Sequence, residues 1–430
     1  IEHPTPSNWN KYASKDTQIL LGDSLTLTSQ PQTLLQTTDT HFSEGTKTDL
    51  GILGSGNDAS LGLLSALGSV AQVASGDSHT CALKTDGTVW CWGRNNYGQL
   101  GDNTTTDRYT PVQVLGVEGN GFLEGVSQIS AGDTYTCALK TDGTVWCWGR
   151  NNNGQFGDNT TTDKYTPVQV LGVEGIGFLE GVSQISAGES HTCATKTDGT
   201  VYCWGSNSSG RLGDNTTTQR LAPVQVVGVG GSGFLENILQ ISAKRWQTCA
   251  LKIDSTVFCW GSNSNGKLGD NTTTDKYTPV QVLGVGGVGF LEGISQINLR
   301  NHACALKIDS TVFCWGSNSY GALGDNTMIN RSTPVQVFGV EGTGFMEGVV
   351  DVSVGSSYSC SLTANNTVLC WGYNLSGQLG DNTSTHRRLP AEVLDETSTF
   401  LSFTQNAIQV ASGSNHSVCS KKTLRYGVGE

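Results

Sequence analysis

Apolar and polar residues alternate through most of this chain in runs of five to seven, each closed by turn residues, and the pattern predicts strands rather than helices. VSQISAG from Val126, TYTCALK from Thr134, TVWCWG from Thr144 and TPVQV from Thr166 are four such β candidates within one stretch. The stretch ISAGDTYTCALKTDGTVWCWGRNNNGQFGDNTTTDKYTPVQVLGVEGIGFLEG recurs in near copies. Successive first cysteines, from Cys81 to Cys419, lie 56, 56, 56, 55, 56 and 59 residues apart. Four strands per unit, repeated around an axis, are the signature of a β-propeller, since one twisted sheet cannot bury both faces without a neighbour.

The thirteen cysteines follow the same rhythm. Cys81 goes with Cys91, Cys137 with Cys147, Cys193 with Cys203, Cys249 with Cys259, Cys304 with Cys314 and Cys360 with Cys370, each pair ten apart, and Cys419 stands alone. Between the members of a pair, as in CALKTDGTVWC, β-prone residues flank Thr-Asp-Gly, which predicts a hairpin with Gly87 in the left-handed conformation. Counting outward from the closing pair Lys84 and Thr88 sets Cys81 opposite Cys91 at a non-hydrogen-bonded position, close enough for a cross-strand disulfide. Zinc would want Cys-x2-Cys knuckles or interleaved histidine, which do not occur here. Six reduced pairs in a cytosolic protein are the alternative, but one repeated geometry fits an oxidising compartment better and points to export. Aligning His416 with His79 sets Val418 at the cysteine position and Cys419 one step later, on the other face of its strand. Cys419 is then a free buried thiol or a link to another chain.

The unit HTCALKTDGTVWCWGRNNYGQLGD, from His79 to Asp102, resembles the repeat of the regulator of chromosome condensation family, with its His-Thr-x-Ala-Leu strand, Gly turn, aromatic-x-Trp-Gly strand and Gly-Gln-Leu-Gly turn. The resemblance runs down residues 70–428 and implies an all-β fold, a seven-bladed β-propeller of four-stranded blades. Six complete units end at the Val393 strand. A seventh opens with IQVASGSNHSVC at Ile408 and lacks an outer strand. LGDSLTLTSQPQTLL from Leu21 mimics LGDNTTTDRYTPVQVL from Leu100, and every proline beyond Pro4 and Pro6 falls at this one position, as suits an edge strand. The expected organisation is an extension over residues 1–18, a strand closing blade seven over 19–35, a Thr/Ser/Gly-rich inserted link over 36–69 and the propeller repeats over 70–430. The closing strand is expected from this chain or, in an assembly, from a neighbour.

A catalytic site is singular, whereas these loops recur blade after blade. His79, His191 and His416 share a slot with Tyr135 and Tyr358, which reads as a packing or hydrogen-bonding position. Trp92, Trp148, Trp204, Trp260, Trp315 and Trp371 read as inter-blade core. The Asp of each Gly-Asp-Asn turn, as at Asp102 and Asp158, reads as a cap of its own turn rather than a calcium ligand. No Gly-x-Ser-x-Gly elbow, Walker loop or paired His-Glu motif occurs, so no enzyme, cofactor or metal site is expected. Departures from the repeat carry more information. Blade four replaces Gly-Asp-Ser-His by Lys244, Arg245, Trp246 and Gln247, and blade five has Arg300, Asn301 and His302 nearby, a candidate basic and aromatic patch for a partner. Trp9 and Tyr12 precede the expected closing strand and are further partner candidates, while Asn103, Asn159, Asn215, Asn271 and Asn382 sit in repeated glycosylation sequons.

Composition narrows the partners. With 56 Gly and 14% charged residues the chain favours turn-rich β structure, and its 36% hydrophobic content suffices for a core. A net charge of −12 repels nucleic acid, and no apolar run is long enough for a membrane span. The chain begins at Ile1, which suggests a removed leader or a fragment. The leading expectation is an extracellular or cell-surface structural or adhesive subunit that binds copies of itself through its N-terminal segment, as in a filament. A monomeric binding module for another extracellular protein or a glycan is second. The guanine-nucleotide exchange activity known in the resembled family is third, disfavoured by the bridges and the acidic charge.

Overall fold

The computed structural model describes residues 50–54, 67, 70–394, 407–412 and 417–422. They form six four-stranded antiparallel sheets and one three-stranded sheet, arranged as the blades of a propeller. Blade one shows why the sequence folds this way. Its strands are Val70–Ser75, His79–Lys84, Val89–Gly93 and Arg108–Gln113. The second and third strands close around Thr85-Asp86-Gly87: Lys84 N donates to Thr88 O, Asp86 Oδ1 accepts from Thr88 N, and Gly87 takes a φ of 79°. That turn fixes the register at Cys81 opposite Cys91 with a Cα separation of 4.1 Å, and the structure joins the two as a disulfide. The same register and bond recur down the chain. Cys137 is bridged to Cys147, Cys193 to Cys203, Cys249 to Cys259, Cys304 to Cys314 and Cys360 to Cys370. Pro111, Pro167, Pro223, Pro279, Pro334 and Pro390 all fall on fourth strands, at the blade edge where a missing N–H costs nothing.

The core lies between blades. Leu100 and Val114 of blade one pack with Val126, Ile129 and Trp148 of blade two, and each later junction repeats the arrangement. Two polar devices hold the apolar layers in register. Buried Trp148, Trp204, Trp260, Trp315 and Trp371 each donate their indole N–H, at 2.8–3.0 Å, to the carbonyl that follows the loop glycine in the preceding blade. On the first strands Gln72 exchanges two hydrogen bonds with the backbone of Ile129, and Gln128 with Ile185 and Gln240 with Ile297 do the same. In blade six that slot holds Asp351, whose two oxygens accept from Gln296 Nε2 and from Val410 N of blade seven.

Blade seven consists of Ala407–Ser412, Ser417–Lys422 and a strand from the N-terminal side, Leu50–Gly54. The closing strand expected over 19–35 lies outside the described residues. What the structure adds is a strand inside 36–69, a stretch read as an inserted link without one. LGILG pairs with Ser417–Lys422 and takes the place that VWCWG holds in blade one; its leucines and isoleucine suit a strand, but it lacks the Cys and Trp that mark the repeat. Cys419 falls opposite Leu53 and Val410, one residue out of register with the bridging positions.

Candidate functional site

Hydrogen bonding assigns the loops to two faces. Val126 N donates to Gly87 O, which sets each inter-blade link beside the Thr-Asp-Gly turns, while Arg94 N donates to Ser78 O, which sets the loop after the third strand beside the first turn of the blade. On this second face a cavity of about 30 Å³ is lined by Asp77, Asp133, Glu189, Lys244, Arg245 and Arg300. Blades one to three contribute the carboxylates and blades four and five the cations. Arg245 occupies the slot of Asp77, Asp133 and Glu189, as the register of Lys244 against Gln247 shows, so one position of the repeat carries opposite charges on opposite sides of a cavity.

Burial sets the electrostatics. It pushes the Asp133 carboxyl up to about 6, reinforced by Glu189 and Asp77 and opposed by Arg300 and Arg245. Burial likewise lowers Arg300, against which the Asp133 carboxylate works. Arg300 is anchored by Nη1 to Ser356 Oγ at 3.0 Å, and its carbonyl accepts from Gln247 Nε2.

A second set of cations lies behind Trp246, in the slot of Gln99 and Gln155. Arg211 and Lys267 fill it in blades three and four, buried to 4% and 3% exposure. Arg211 donates from Nη2 to Ser208 Oγ at 2.7 Å and from Nη1 to Arg245 O at 3.3 Å, while its Nε has no partner. The Trp246 ring has Arg245 Cζ 5.6 Å and Lys267 Nζ 5.4 Å from its centroid, within cation–π reach. Burial, with Arg245 and Arg211 adding to it and the Asp275 carboxylate opposing it, brings the Lys267 ammonium down to about 8. Among the described residues no carboxylate forms an ion pair with Arg211 or Lys267. Neither residue stands out from the sequence read alone, although their departure from Gln in an otherwise repeated Gly-Gln-Leu-Gly turn is the signal.

The other candidates separate cleanly. Lys244, Arg245, Trp246 and Arg300 gather on one face, whereas Trp9, Tyr12 and His416 lie outside the described residues. His79, His191 and His302 are buried and held neutral, His79 near 4 and His302 near 3, and each bonds through Nε2 to a hydroxyl of the next blade. Asp102 accepts from Thr104, Arg108 and Asn95 within its own loop; these bonds outweigh burial and hold its carboxyl below the usual range. Asn103, Asn159, Asn215, Asn271 and Asn382 are exposed at the tips of such loops, with φ between 55° and 61°.

Four-stranded blades with a Trp-Gly third strand, a Gly-Asp turn and inter-blade indole bonds define the RCC1-like class of propeller. The family model for the RCC1-like domain matches residues 40–419, and the chain belongs to this family. It is similar to the ultraviolet-B receptor UVR8 of Arabidopsis thaliana, 31% identical over 323 residues that cover 75% of this chain and 69% of the receptor. The E3 ubiquitin-protein ligase HERC2 of Homo sapiens is 29% identical over 359 residues, 83% of this chain and 7% of the ligase. Yeast RCC1 (Prp20), solved bound to Kap60, superimposes with a TM-score of 0.69 at 20% identity, covering 93% of this chain and 97% of that one. Human WBSCR16 gives 0.68 at 22%, covering 83% and 87%. The two solved structures establish the fold alone. A receptor and a ligase on one architecture select no activity for this chain.

Proposed function

We propose that the protein is an exported, non-catalytic binding propeller that engages a protein partner through the charged face around Asp133 and Arg245. The observation that carries this reading is the break in the repeat: the slot that is acidic in blades one to three is Arg245 in blade four, and the opposed charges converge on one cavity. Six buried disulfides, each within one blade, support an oxidising, extracellular setting. The described copies of the repeated histidines, tryptophans and loop aspartates are engaged in packing and hydrogen bonds, which supports the non-catalytic reading. Reversing Arg245 to Asp, the residue at this slot in blades one and two, should abolish binding of purified protein to its native extracellular matrix while the far-UV spectrum stays unchanged. Undiminished binding overturns the reading.

A second reading, a subunit of a homopolymer joined by strand exchange, is favoured by one feature. Blade seven takes a strand from the distant N-terminal side, and among the described residues Leu50–Gly54 has a strand on only one of its two edges. Electron microscopy of native material distinguishes the two, filaments favouring exchange and dispersed rings favouring the binding module.

A further inference from the structure

We infer that the face takes a mixed-charge polypeptide segment, docking a side-chain carboxylate of that segment among Arg211, Arg245, Trp246 and Lys267 while a neighbouring cation of the segment meets Asp77, Asp133 and Glu189. The inference rests on the reading of this face as the partner surface and names the chemistry of the partner.

Three observations converge on a carboxylate. First, Arg211 and Lys267 are more than nine-tenths buried, yet the carboxylates that act on them, Asp275 on both and Glu189 on Arg211, do so without a direct ion pair, and the Arg211 Nε is unsatisfied. Burying two cations side by side is costly unless an anion joins them. Second, their charges are held in place beforehand. Ser208 and the Arg245 carbonyl fix the Arg211 guanidinium, and the Trp246 ring lies within reach of both Arg245 and Lys267. A planar guanidinium fork matches a carboxylate, and the half-exposed indole offers an apolar wall to the methylenes that carry it. Third, the Arg245 backbone sits at a φ of 44°, a left-handed conformation uncommon for a non-glycine residue, and its guanidinium lies by the indole.

The acidic arc decides between classes of partner. A sulfated glycan carries one sign of charge along its length, so its flanks would meet Asp77, Asp133 and Glu189 across the cavity. It would also approach a chain of net charge −12. A polypeptide with an acidic and a basic residue close together satisfies both arcs at once, and like-signed polymers are repelled by one of them.

The test uses the full chain with its disulfides intact and three fluorescent probes: a peptide with a lysine block beside a glutamate block, an all-glutamate peptide and a heparin oligosaccharide. Anisotropy should rank the mixed peptide first and show its affinity falling with added salt. The variants Arg211→Gln and Lys267→Gln place in blades three and four the residue that blades one and two already carry as Gln99 and Gln155, so folding is retained. Each should weaken the mixed peptide by about tenfold. Heparin or all-glutamate binding more tightly than the mixed peptide overturns the inference, as does unchanged affinity in both variants. If the mixed peptide binds but only Asp77→Asn and Asp133→Asn weaken it, the carboxylate pocket is wrong and the partner face stands. If no probe binds at about 1 mM, the inference fails, and the Arg245 reversal against native matrix judges the face separately.

Discussion

Asp351 marks the seam between blades six and seven, and replacing it with asparagine tests the seam's electrostatics. The preceding blades place Gln at this slot; Asp351 instead has two acceptor oxygens, bonded by Gln296 Nε2 at 3.0 Å and Val410 N at 2.9 Å. Burial is the largest influence and pushes the carboxyl up from 3.8 to about 6 despite those two bonds. A folded-state value above the unfolded one means that the folded protein holds the proton more tightly. The group therefore favours folding below pH 3.8 relative to neutral pH, and that advantage is lost as pH rises through about 6. The difference corresponds to about 3 kcal/mol between protonated and ionised forms. An asparagine side chain would carry no charge but would turn an N–H toward one of the two donors, at a cost of about 1 kcal/mol. Asp351→Asn should thus be more stable than the parent at pH 7.5 and slightly less stable at pH 4, a crossover worth about 2–3 kcal/mol. In a protein this large that is a change of the order of 2–4 °C in thermal midpoint. Differential scanning calorimetry of both proteins at the two pH values reads it, and the difference between them cancels every other titrating group. Equal destabilisation at both pH values would refute the buried, partly protonated carboxylate.

The remaining predictions address hairpins, bridges, histidines and the charged face. Ser255 sits at a φ of 65° where blades one to three place Gly87, Gly143 and Gly199, so Ser255→Gly should stabilise by about 0.5–1 kcal/mol in chemical denaturation. Replacing Cys137 and Cys147 together by serine opens one bridge of separation ten and should cost roughly 2–3 kcal/mol, read the same way. The buried neutral His302, lowered to about 3, stabilises the fold above pH 6.5 and loses that contribution as pH falls below it; His302→Gln, the residue blade four carries as Gln247, should flatten the loss in melting profiles between pH 6.5 and 4. Lys267, near 8, predicts that binding of the mixed-charge peptide weakens between pH 7 and 9, and in Lys267→Gln that limb should vanish from the anisotropy titration.

Much of this architecture can be read from the chain because the repeat makes every local rule testable several times over. The Thr-Asp-Gly turn dictates the hairpin, the hairpin dictates the cysteine register, and the indole of Trp148 needs a partner once buried, which Gln99 O supplies. Harder to read is whatever depends on neighbours around the ring. Arg211 and Arg245 are 34 residues apart, and nothing short of the folded propeller brings one side chain to the other's carbonyl. The acidic arc is equally hidden, since Asp77, Asp133 and Glu189 look like ordinary turn residues until blade four reverses the sign. Leu50–Gly54 escapes notice for another reason: it fills the place of a third strand without the cysteine and tryptophan by which such strands are recognised.

The sulfur bridges have a mechanical corollary. Each one ties neighbouring strands of a single blade and none of the six crosses to the next, so covalent bonds stiffen the petals while the described junctions between petals are sewn by hydrogen bonds and packing. Tugged at its two ends, the chain should come apart petal by petal. Each bridged petal would release about 150 Å of slack, the 56-residue period less the ten residues locked behind sulfur. A reducing buffer should lengthen the step of each bridged petal by about 35 Å without changing the number of steps.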